Sequence, residues 1–210
     1  MVKAFRRPNR EEIDRINRIQ QERFDQSYHL FEPPLPQGVP ERLDIIVAAA
    51  GIKEGDTVLD VGTGTGILIP VIQKYHPDNI IACDLSKEML GQLKKNYSDV
   101  ETFQKDIRDL ALPKASVDVV LINACYPNIV DKEGAFTNIG RMLKNSGRLN
   151  ISHPLGKAFV DALRPGAAYP LDDFPSKTEA SVLFRPYGFK IKGYVDEPKL
   201  YILTLLKITE

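Results

Sequence analysis

A glycine-rich segment is the part of this 210-residue sequence whose residue types and spacing most clearly indicate chemistry. It runs from Asp60 to Gly66, as Asp-Val-Gly-Thr-Gly-Thr-Gly. Glycines at alternate positions allow a tight turn from a strand into a helix, and they let a ligand lie against bare backbone. The N–H groups that begin the following helix would attract an anion. The segment therefore predicts a ligand-binding loop.

This loop departs from two common nucleotide-binding patterns. A dinucleotide-binding loop, G-x-G-x-x-G, would need a third glycine at the position of Ile67. A P-loop would end in Gly-Lys-Ser/Thr, which the segment does not. Asp60 would repel a pyrophosphate, whereas it suits a ligand with a cationic ammonium or sulfonium group. A nicotinamide-dependent oxidoreductase is therefore the less favoured interpretation.

The segment from Val58 to Gly66, VLDVGTGTG, resembles motif I of the class I S-adenosylmethionine-dependent methyltransferases. The resemblance extends over roughly residues 41–207. It implies S-adenosylmethionine as cofactor, S-adenosylhomocysteine as product and no bound metal. It also implies that the cofactor contacts Asp60, Gly62, Thr63, Gly64 and Gly66.

Acidic and amide residues follow the next predicted strands, at the edge of the sheet where ligands bind in such folds. An acid such as Asp84, after the second strand, can accept hydrogen bonds from both ribose hydroxyls, and the family places its ribose-binding acid there. In the family, an acid after the third strand takes the adenine amino group, which implies that role for Asp106. The resemblance further implies that Leu85 and Ile107 contact the adenine and that Asn123 lies beside the methionine portion.

The segment after the fourth strand bears on the acceptor. It reads Asn-Ala-Cys-Tyr from Asn123, rather than the Asn/Asp-Pro-Pro-Tyr of methyltransferases that modify amino groups of nucleic acid or glutamine. The favoured function is therefore methyl transfer to a small-molecule acceptor. An RNA or protein methyltransferase is the alternative, because seven basic and four acidic side chains occur through residue 23. Such a run more often forms a solvated helix face. A non-catalytic cofactor-binding module is a further alternative.

Histidines and tyrosines supply the candidates for the acceptor side. Methyl transfer from a sulfonium is an in-line displacement, in which the enzyme aligns the nucleophile with the methyl group and excludes water. A general base is needed only if the nucleophile carries a proton at neutral pH. The candidates for a base or acceptor-orienting group are His153 and His29; the alternative for His153 is a structural hydrogen bond to a nearby carbonyl. The candidates for the acceptor pocket are Tyr28, Tyr126, Asn128 and Tyr169.

Alternating strand and helix patterns must position these residues. Apolar segments predict strands at 57–61, 79–85, 100–104, 117–123 and 147–152. The segments 189–195 and 200–207 lie so close together that they predict an antiparallel hairpin. The expected fold is therefore α/β: a doubly wound, mostly parallel seven-stranded Rossmann-like sheet with helices on both faces.

Two of the predicted helices carry specific expectations. The first runs from about Thr65 to Tyr75 and should bend slightly at Pro70. The second begins with a capping box of Ser176 and Glu179 and ends at Gly188.

The chain divides into two parts at its prolines. Residues 1–40 predict a helical appendage and a proline-rich linker, which we expect to cover the active site. Residues 41–210 predict the Rossmann-like methyltransferase domain, with a lid at about 153–176. The acceptor pocket would lie where the appendage and the lid meet the edge of the sheet.

The overall composition favours an ordinary globular enzyme. The chain has 28 basic and 28 acidic side chains, so its net charge of zero gives no bulk attraction to nucleic acid. Two cysteines predict neither a disulfide framework nor a zinc site. The apolar stretch from Ile45 to Ile52 is too short to span a bilayer, and the first residues do not form a signal peptide. We expect a cytoplasmic enzyme without membrane contact, and both a monomer and a homodimer remain open.

Overall fold

Seven strands form one sheet within residues 4–208, the part of the chain that the computed structural model describes. Five of them are parallel, and each connection between consecutive strands contains helical turns, as parallel pairing requires. They are β1 (Thr57–Val61), β2 (Asn79–Asp84), β3 (Glu101–Gln104), β4 (Val117–Asn123) and β5 (Leu143–His153). They lie in the order β3-β2-β1-β4-β5.

The last two strands form the expected hairpin. They are β6 (Phe189–Glu197) and β7 (Leu200–Lys207), and β7 lies antiparallel between β5 and β6. Only Pro198 and Lys199 separate them, which leaves no room for the crossover that a parallel pair needs. The predicted fold, a mostly parallel seven-stranded sheet with a C-terminal antiparallel hairpin, is confirmed.

Helices cover both faces of this sheet. Within the described residues they are α1 (Arg10–Ser27), α2 (Val39–Ala50), α3 (Ile69–Gln73), α4 (Lys87–Asn96), α5 (Lys132–Met142), α6 (Gly156–Leu163) and α7 (Lys177–Leu183). Successive side chains of a strand point to opposite faces, so β1 contributes to two apolar cores. Leu59 packs in the core that contains Phe136 of α5, and Val58 packs in the core that contains Ile46 of α2.

The helix after the glycine-rich loop differs from its prediction. It begins at Ile69 rather than near Thr65. Pro70 therefore lies in the first turn, where its missing N–H is not needed by the helix and no bend results. The expected start and the expected bend at Pro70 were both wrong. The residues between Gly62 and Leu68 form turns instead, which lengthens the loop at the edge of the sheet.

The capping box of α7 is confirmed, but the helix is shorter than predicted. The Ser176 hydroxyl accepts from the Glu179 N–H, and the Glu179 carboxylate accepts from the Ser176 N–H. The helix ends at Leu183 and a single 3-10 turn, Arg185–Tyr187, follows it. Pro186 explains the early end, because a proline disfavours helical backbone at the residue before it.

The N-terminal helix α1 is anchored to the body. Its N-cap Asn9 accepts a hydrogen bond from the Glu12 N–H at 2.8 Å. Ile13 and Ile16 are buried, and the helix packs against α4. The division of the chain at residue 40 stays a prediction. None of the described helices combines the length and the apolar character that crossing a membrane requires.

Candidate active site

The glycine-rich loop holds three glycines in left-handed backbone conformations. The φ angles of Gly62, Gly64 and Gly66 are +67°, +57° and +87°, a region that L side chains rarely adopt. Gly62 also permits a close approach, because a Cβ there would lie 2.2 Å from the Sγ of Cys125. This contact brings the segment after β4 directly against the loop after β1.

Asp60, the last but one residue of β1, is a buried carboxylate at the start of this loop. It is 1% exposed, and it accepts a 2.7 Å hydrogen bond from the Thr63 hydroxyl. Burial raises the pKa of Asp60 to about 7; the bond from Thr63 opposes this rise, and the nearby charge of Asp84 adds to it. A cationic group beside Asp60 would favour its ionised form and compensate its burial.

Asp84, at the end of β2, has both oxygens held by backbone N–H groups. Oδ2 accepts from Gly64 N and Oδ1 from Ser86 N, each at 2.9 Å. Burial raises the pKa of Asp84, and these backbone bonds oppose the rise. Each oxygen keeps a further lone pair, so the fixed carboxylate can still accept hydrogen bonds from two neighbouring hydroxyls.

Asp106, two residues after β3, is held in a similar way. Its Oδ1 accepts from Arg108 N at 3.0 Å. Its Oδ2 accepts a 2.6 Å hydrogen bond from the side-chain amide of Asn17, in α1. Ile107 follows it and is buried. The N-terminal helix therefore reaches the acid at the end of the third strand.

These loops surround one cavity of about 150 Å³. Every residue that the family resemblance assigned to the cofactor lines the cavity except Gly66. A Cβ at Gly66 would meet Leu93 of α4 at 3.0 Å, so Gly66 serves the packing of the loop on that helix. Among the predicted acceptor residues, only Asn128 lines the cavity.

The three candidate tyrosines lie outside the cavity lining. Tyr126 is buried between Phe136 and Phe174. The Tyr169 hydroxyl donates a hydrogen bond to Asn128 Oδ1 at 3.2 Å and so positions a side chain that lines the cavity. Burial raises the pKa of Tyr169 to about 12. Tyr28 lies in the 3-10 turn that follows α1.

The structure also brings neither candidate histidine to the cavity. The Nδ1 of His153 accepts a 3.1 Å hydrogen bond from Leu155 N, so its partner is a backbone N–H rather than the expected carbonyl. Its ring packs against Phe159 and Phe174, and burial lowers its pKa to about 4. His29 is exposed in the turn after α1. A catalytic role for either histidine stays a prediction.

The predicted lid segment contacts the turn after β4. The Lys132 ammonium lies 2.5 Å from the Asp172 carboxylate, and Asp172 N donates to the carbonyl oxygen of Pro127. These bonds hold the segment against the same turn that carries Asn128. Whether the segment opens and closes as a lid stays a prediction.

Residues of α1 complete the cavity. Asn17, Gln20 and Phe24 line it, and their spacing places them on one face of the helix. Gln20 is 3% exposed, and its Nε2 donates to the carbonyl oxygen of Asn128 at 2.8 Å. Sequence reasoning did not assign Asn17 or Gln20 to the site. The position of a polar residue, Gln20, on the otherwise apolar face of Ile13 and Ile16 is the sequence signal that could have identified it.

Comparison with known proteins agrees with this geometry. A family model described as a methyltransferase domain matches residues 59–151. An uncharacterized methyltransferase-like protein of Schizosaccharomyces pombe is 34% identical over 59% of this chain and 47% of its own length. A ubiquinone/menaquinone biosynthesis C-methyltransferase of Vibrio campbellii is 32% identical over 56% of this chain and 48% of its own length.

A solved structure shows the same fold. It is magnesium protoporphyrin IX methyltransferase from Synechocystis PCC 6803 with bound S-adenosylhomocysteine. It has a TM-score of 0.70 and 17% identity, and the match covers 91% of this chain and 99% of that one. Residues 59–151 of this chain thus match a methyltransferase domain, and the chain has the fold of S-adenosylmethionine-dependent methyltransferases. It spans about half the length of the two curated relatives described above.

Proposed function

We propose that this chain transfers the methyl group of S-adenosylmethionine to a small-molecule acceptor. The observation that carries the proposal is the convergence of three carboxylates on one cavity. Asp60, Asp84 and Asp106 come from the ends of β1, β2 and β3, and they surround the bare backbone of Gly64. The carboxyl ends of parallel strands are where such sheets bind their ligands.

The donor set of the cavity fits this cofactor. The buried carboxylate of Asp60 suits the ammonium group, and the fixed carboxylate of Asp84 suits the two ribose hydroxyls. Asp106 and Ile107 would hold the adenine. A Cβ at Gly64 would have only Met89 Sδ near it, at 3.8 Å, so the backbone there is open to a ligand. When bound, the cofactor supplies an electrophilic methyl group on a sulfonium.

The chain's own residues then orient the acceptor and exclude water. Helix α1 covers one side of the cavity with Asn17, Gln20 and Phe24. The last residue of β4, Asn123, and the turn after it, through Asn128, also line the cavity. Enclosure of this kind removes competing water and aligns the reactants for in-line displacement.

A small acceptor suits this enclosure better than a macromolecule does. The names of the Vibrio and Synechocystis proteins refer to quinones and to a porphyrin, which are small molecules. The basic residues that motivated an RNA acceptor are partly neutralised, since three arginines form ion pairs with carboxylates. The pairs are Arg6 with Glu12, Arg7 with Glu133 and Arg10 with Asp14.

Calorimetric titration with S-adenosylhomocysteine tests the cofactor assignment. We expect micromolar binding to the wild type and roughly 100-fold weaker binding to Asp84→Ala, because two charge-assisted hydrogen bonds are lost. Asp99→Ala, the same change at an exposed position, should bind like the wild type. Absence of binding to a folded wild type would overturn the proposal.

A second assay tests the acceptor class. Formation of S-adenosylhomocysteine from S-adenosylmethionine should require small molecules from a metabolite panel. Total RNA or unfolded protein as the preferred acceptor would support the alternative function instead.

A further inference from the structure

We infer that Gln20 of α1 is an acceptor-binding residue that selects compounds with an N–H or O–H donor beside the reacting atom. This inference rests on the proposed function and names a property of its acceptor. The ligand class is an uncharged, mostly apolar small molecule with one such donor. One hydrogen bond fixes the Gln20 side chain.

That hydrogen bond determines which end of the amide is which. The Nε2 of Gln20 lies 2.8 Å from the backbone oxygen of Asn128. A carbonyl oxygen only accepts hydrogen bonds, so the atom facing it must be the amide nitrogen. The Oε1 of Gln20 is therefore the acceptor that remains available to another group.

No described residue donates a hydrogen bond to this Oε1, and the atom is not among the fully buried side-chain atoms that lack a partner, so it is accessible to a ligand. Gln20 is nevertheless only 3% exposed, and it lines the cavity. A polar atom at the wall of a binding cavity takes its hydrogen-bond partner from whatever fills the cavity, either water or a ligand. A donor group of a bound ligand would supply that partner.

The position of Gln20 assigns it to the acceptor side of the cavity. Its partner Asn128 donates its backbone N–H to the carbonyl oxygen of Cys125 at 2.9 Å. Cys125 in turn packs against Gly62 of the glycine-rich loop. Asn17, one turn earlier in α1, instead contacts Asp106 at the adenine side. The helix thus places one amide at each end of the cavity.

The surroundings of Gln20 hold it rigidly. Asn128 is fixed at two points, since its side chain also accepts a hydrogen bond from the Tyr169 hydroxyl at 3.2 Å. Asn128 is therefore a firm anchor for the Gln20 amide. A preorganised acceptor atom discriminates better between ligands than a mobile one, because less ordering is needed on binding.

Aromatic side chains supply the apolar part of this site. Phe24 and Phe31 both line the cavity, and their ring centroids lie 5.8 Å apart in an edge-to-face arrangement. Such rings suit an apolar ligand body, while a single polar group fixes its orientation.

Matched pairs of probes that differ only in the donor test this inference. The pairs are phenol with anisole, and indole with 1-methylindole. Their dissociation constants are measured by NMR titration of the full chain saturated with S-adenosylhomocysteine. For the wild type we expect the donor-bearing member of each pair to bind about 3- to 10-fold more tightly.

Two variants assign the preference to Gln20. Gln20→Met keeps the length of the side chain and removes the acceptor atom. The two members of each probe pair should therefore bind this variant with about equal affinity. Gln26→Met makes the same change on the exposed face of α1 and should keep the full preference.

Three results would overturn the inference: a wild type that binds both members of each pair equally, one that binds neither at millimolar concentration, or a preference that survives in Gln20→Met. The comparison of the matched probes on the wild type tests the inference even if Gln20→Met does not fold.

Calorimetry of S-adenosylhomocysteine on the same samples separates the two proposals. Its failure overturns the proposed function and this inference together, whereas cofactor binding without a donor preference overturns this inference alone.

Discussion

The two ends of the cavity are built in different ways. At the proposed cofactor end, Asp60, Asp84 and Asp106 lie at or just beyond the carboxyl ends of β1, β2 and β3, and backbone N–H groups hold two of the three carboxylates. At the acceptor end, Gln20 from α1 meets Asn128 from the turn after β4, 108 positions away in the chain. The first end follows from local strand and turn patterns. The second exists only because a remote helix packs across the edge of the sheet.

The two ends also differ in charge. Three carboxylates surround the cofactor end, and the burial of Asp60 and Asp84 raises the pKa of both. The acceptor end presents the neutral amides of Gln20 and Asn128. Under the proposed function, electrostatics would select a cofactor with cationic groups, while hydrogen bonding and shape would select the acceptor. Substitutions at the two ends should change different measurements.

The largest expected effect is that of Gly62→Ala, because Gly62 lies where the two ends meet. The new Cβ would lie 2.2 Å from Cys125 Sγ, on backbone with φ of +67°. We expect the free energy of unfolding to fall by about 2–4 kcal/mol, with loss of S-adenosylhomocysteine binding. Gly91→Ala, an exposed helical position with nothing within 4 Å of its Cβ, should instead be neutral or slightly stabilising in thermal unfolding. Equal stability of Gly62→Ala and the wild type would contradict the contact.

Asp60→Asn should increase the stability of the protein at pH 8 and weaken its binding of S-adenosylhomocysteine. The folded state raises the pKa of Asp60 from 3.8 to about 7, so it holds the proton more tightly than the unfolded chain does. The stability that Asp60 contributes is therefore complete below about pH 4 and is lost as the pH rises through 7. At pH 8, without ligand, the variant should be more stable than the wild type by about 2–4 kcal/mol in urea unfolding.

The same variant should bind S-adenosylhomocysteine at least about tenfold more weakly, because a neutral amide does not attract the ammonium group. Wild-type affinity should fall as the pH drops below 7, and the affinity of Asp60→Asn should not. Asp99→Asn serves as the exposed control. If the affinities of Asp60→Asn and the wild type for S-adenosylhomocysteine changed with pH in the same way, the charge of Asp60 would not contribute to binding.

His153→Asn tests whether the acceptor end extends to β5. The asparagine can still accept the hydrogen bond from Leu155 N, so the turn should stay intact. We expect methyl transfer within about twofold of the wild type, since His153 does not line the cavity. A large loss of transfer with unchanged S-adenosylhomocysteine binding would restore His153 as an acceptor-site residue.

The stability of His153→Asn should also depend less on pH. The folded state lowers the pKa of His153 to about 4, so the stability it contributes is present above about pH 6.5 and is lost as the pH falls to 4. Below pH 6 the wild type should therefore lose stability faster than the variant in urea unfolding.

Asn17→Ala removes the link between α1 and the proposed adenine side. Asn17 holds one oxygen of Asp106 at 2.6 Å, so its loss should weaken S-adenosylhomocysteine binding by about 3- to 10-fold. Arg18→Ala, on the exposed face of the same helix, should have no effect. Tighter binding by Asn17→Ala would mean that the amide competes with the ligand for Asp106.

The strand segments and the loops that follow them could be predicted because they depend on short-range patterns. Buried strands such as Val117–Asn123 are mostly apolar, and the glycines mark the turn that follows β1. The prediction from sequence was wrong where one local pattern is compatible with two structures. Pro70 interrupts a helical pattern when the helix begins at Thr65, but it is an ordinary first-turn residue when the helix begins at Ile69.

By itself, the sequence determined the sheet, the loops at its carboxyl edge and the acids of the cofactor end, because each follows from residues that are neighbours in the chain. Only the tertiary structure decided which remote side chains complete the cavity. It buried Tyr126 and His153 among aromatic rings and placed Asn17 and Gln20 at the two ends of the site. The physical reason is that the packing of α1 depends on the shape of the assembled body, which periodicity within one helix does not specify.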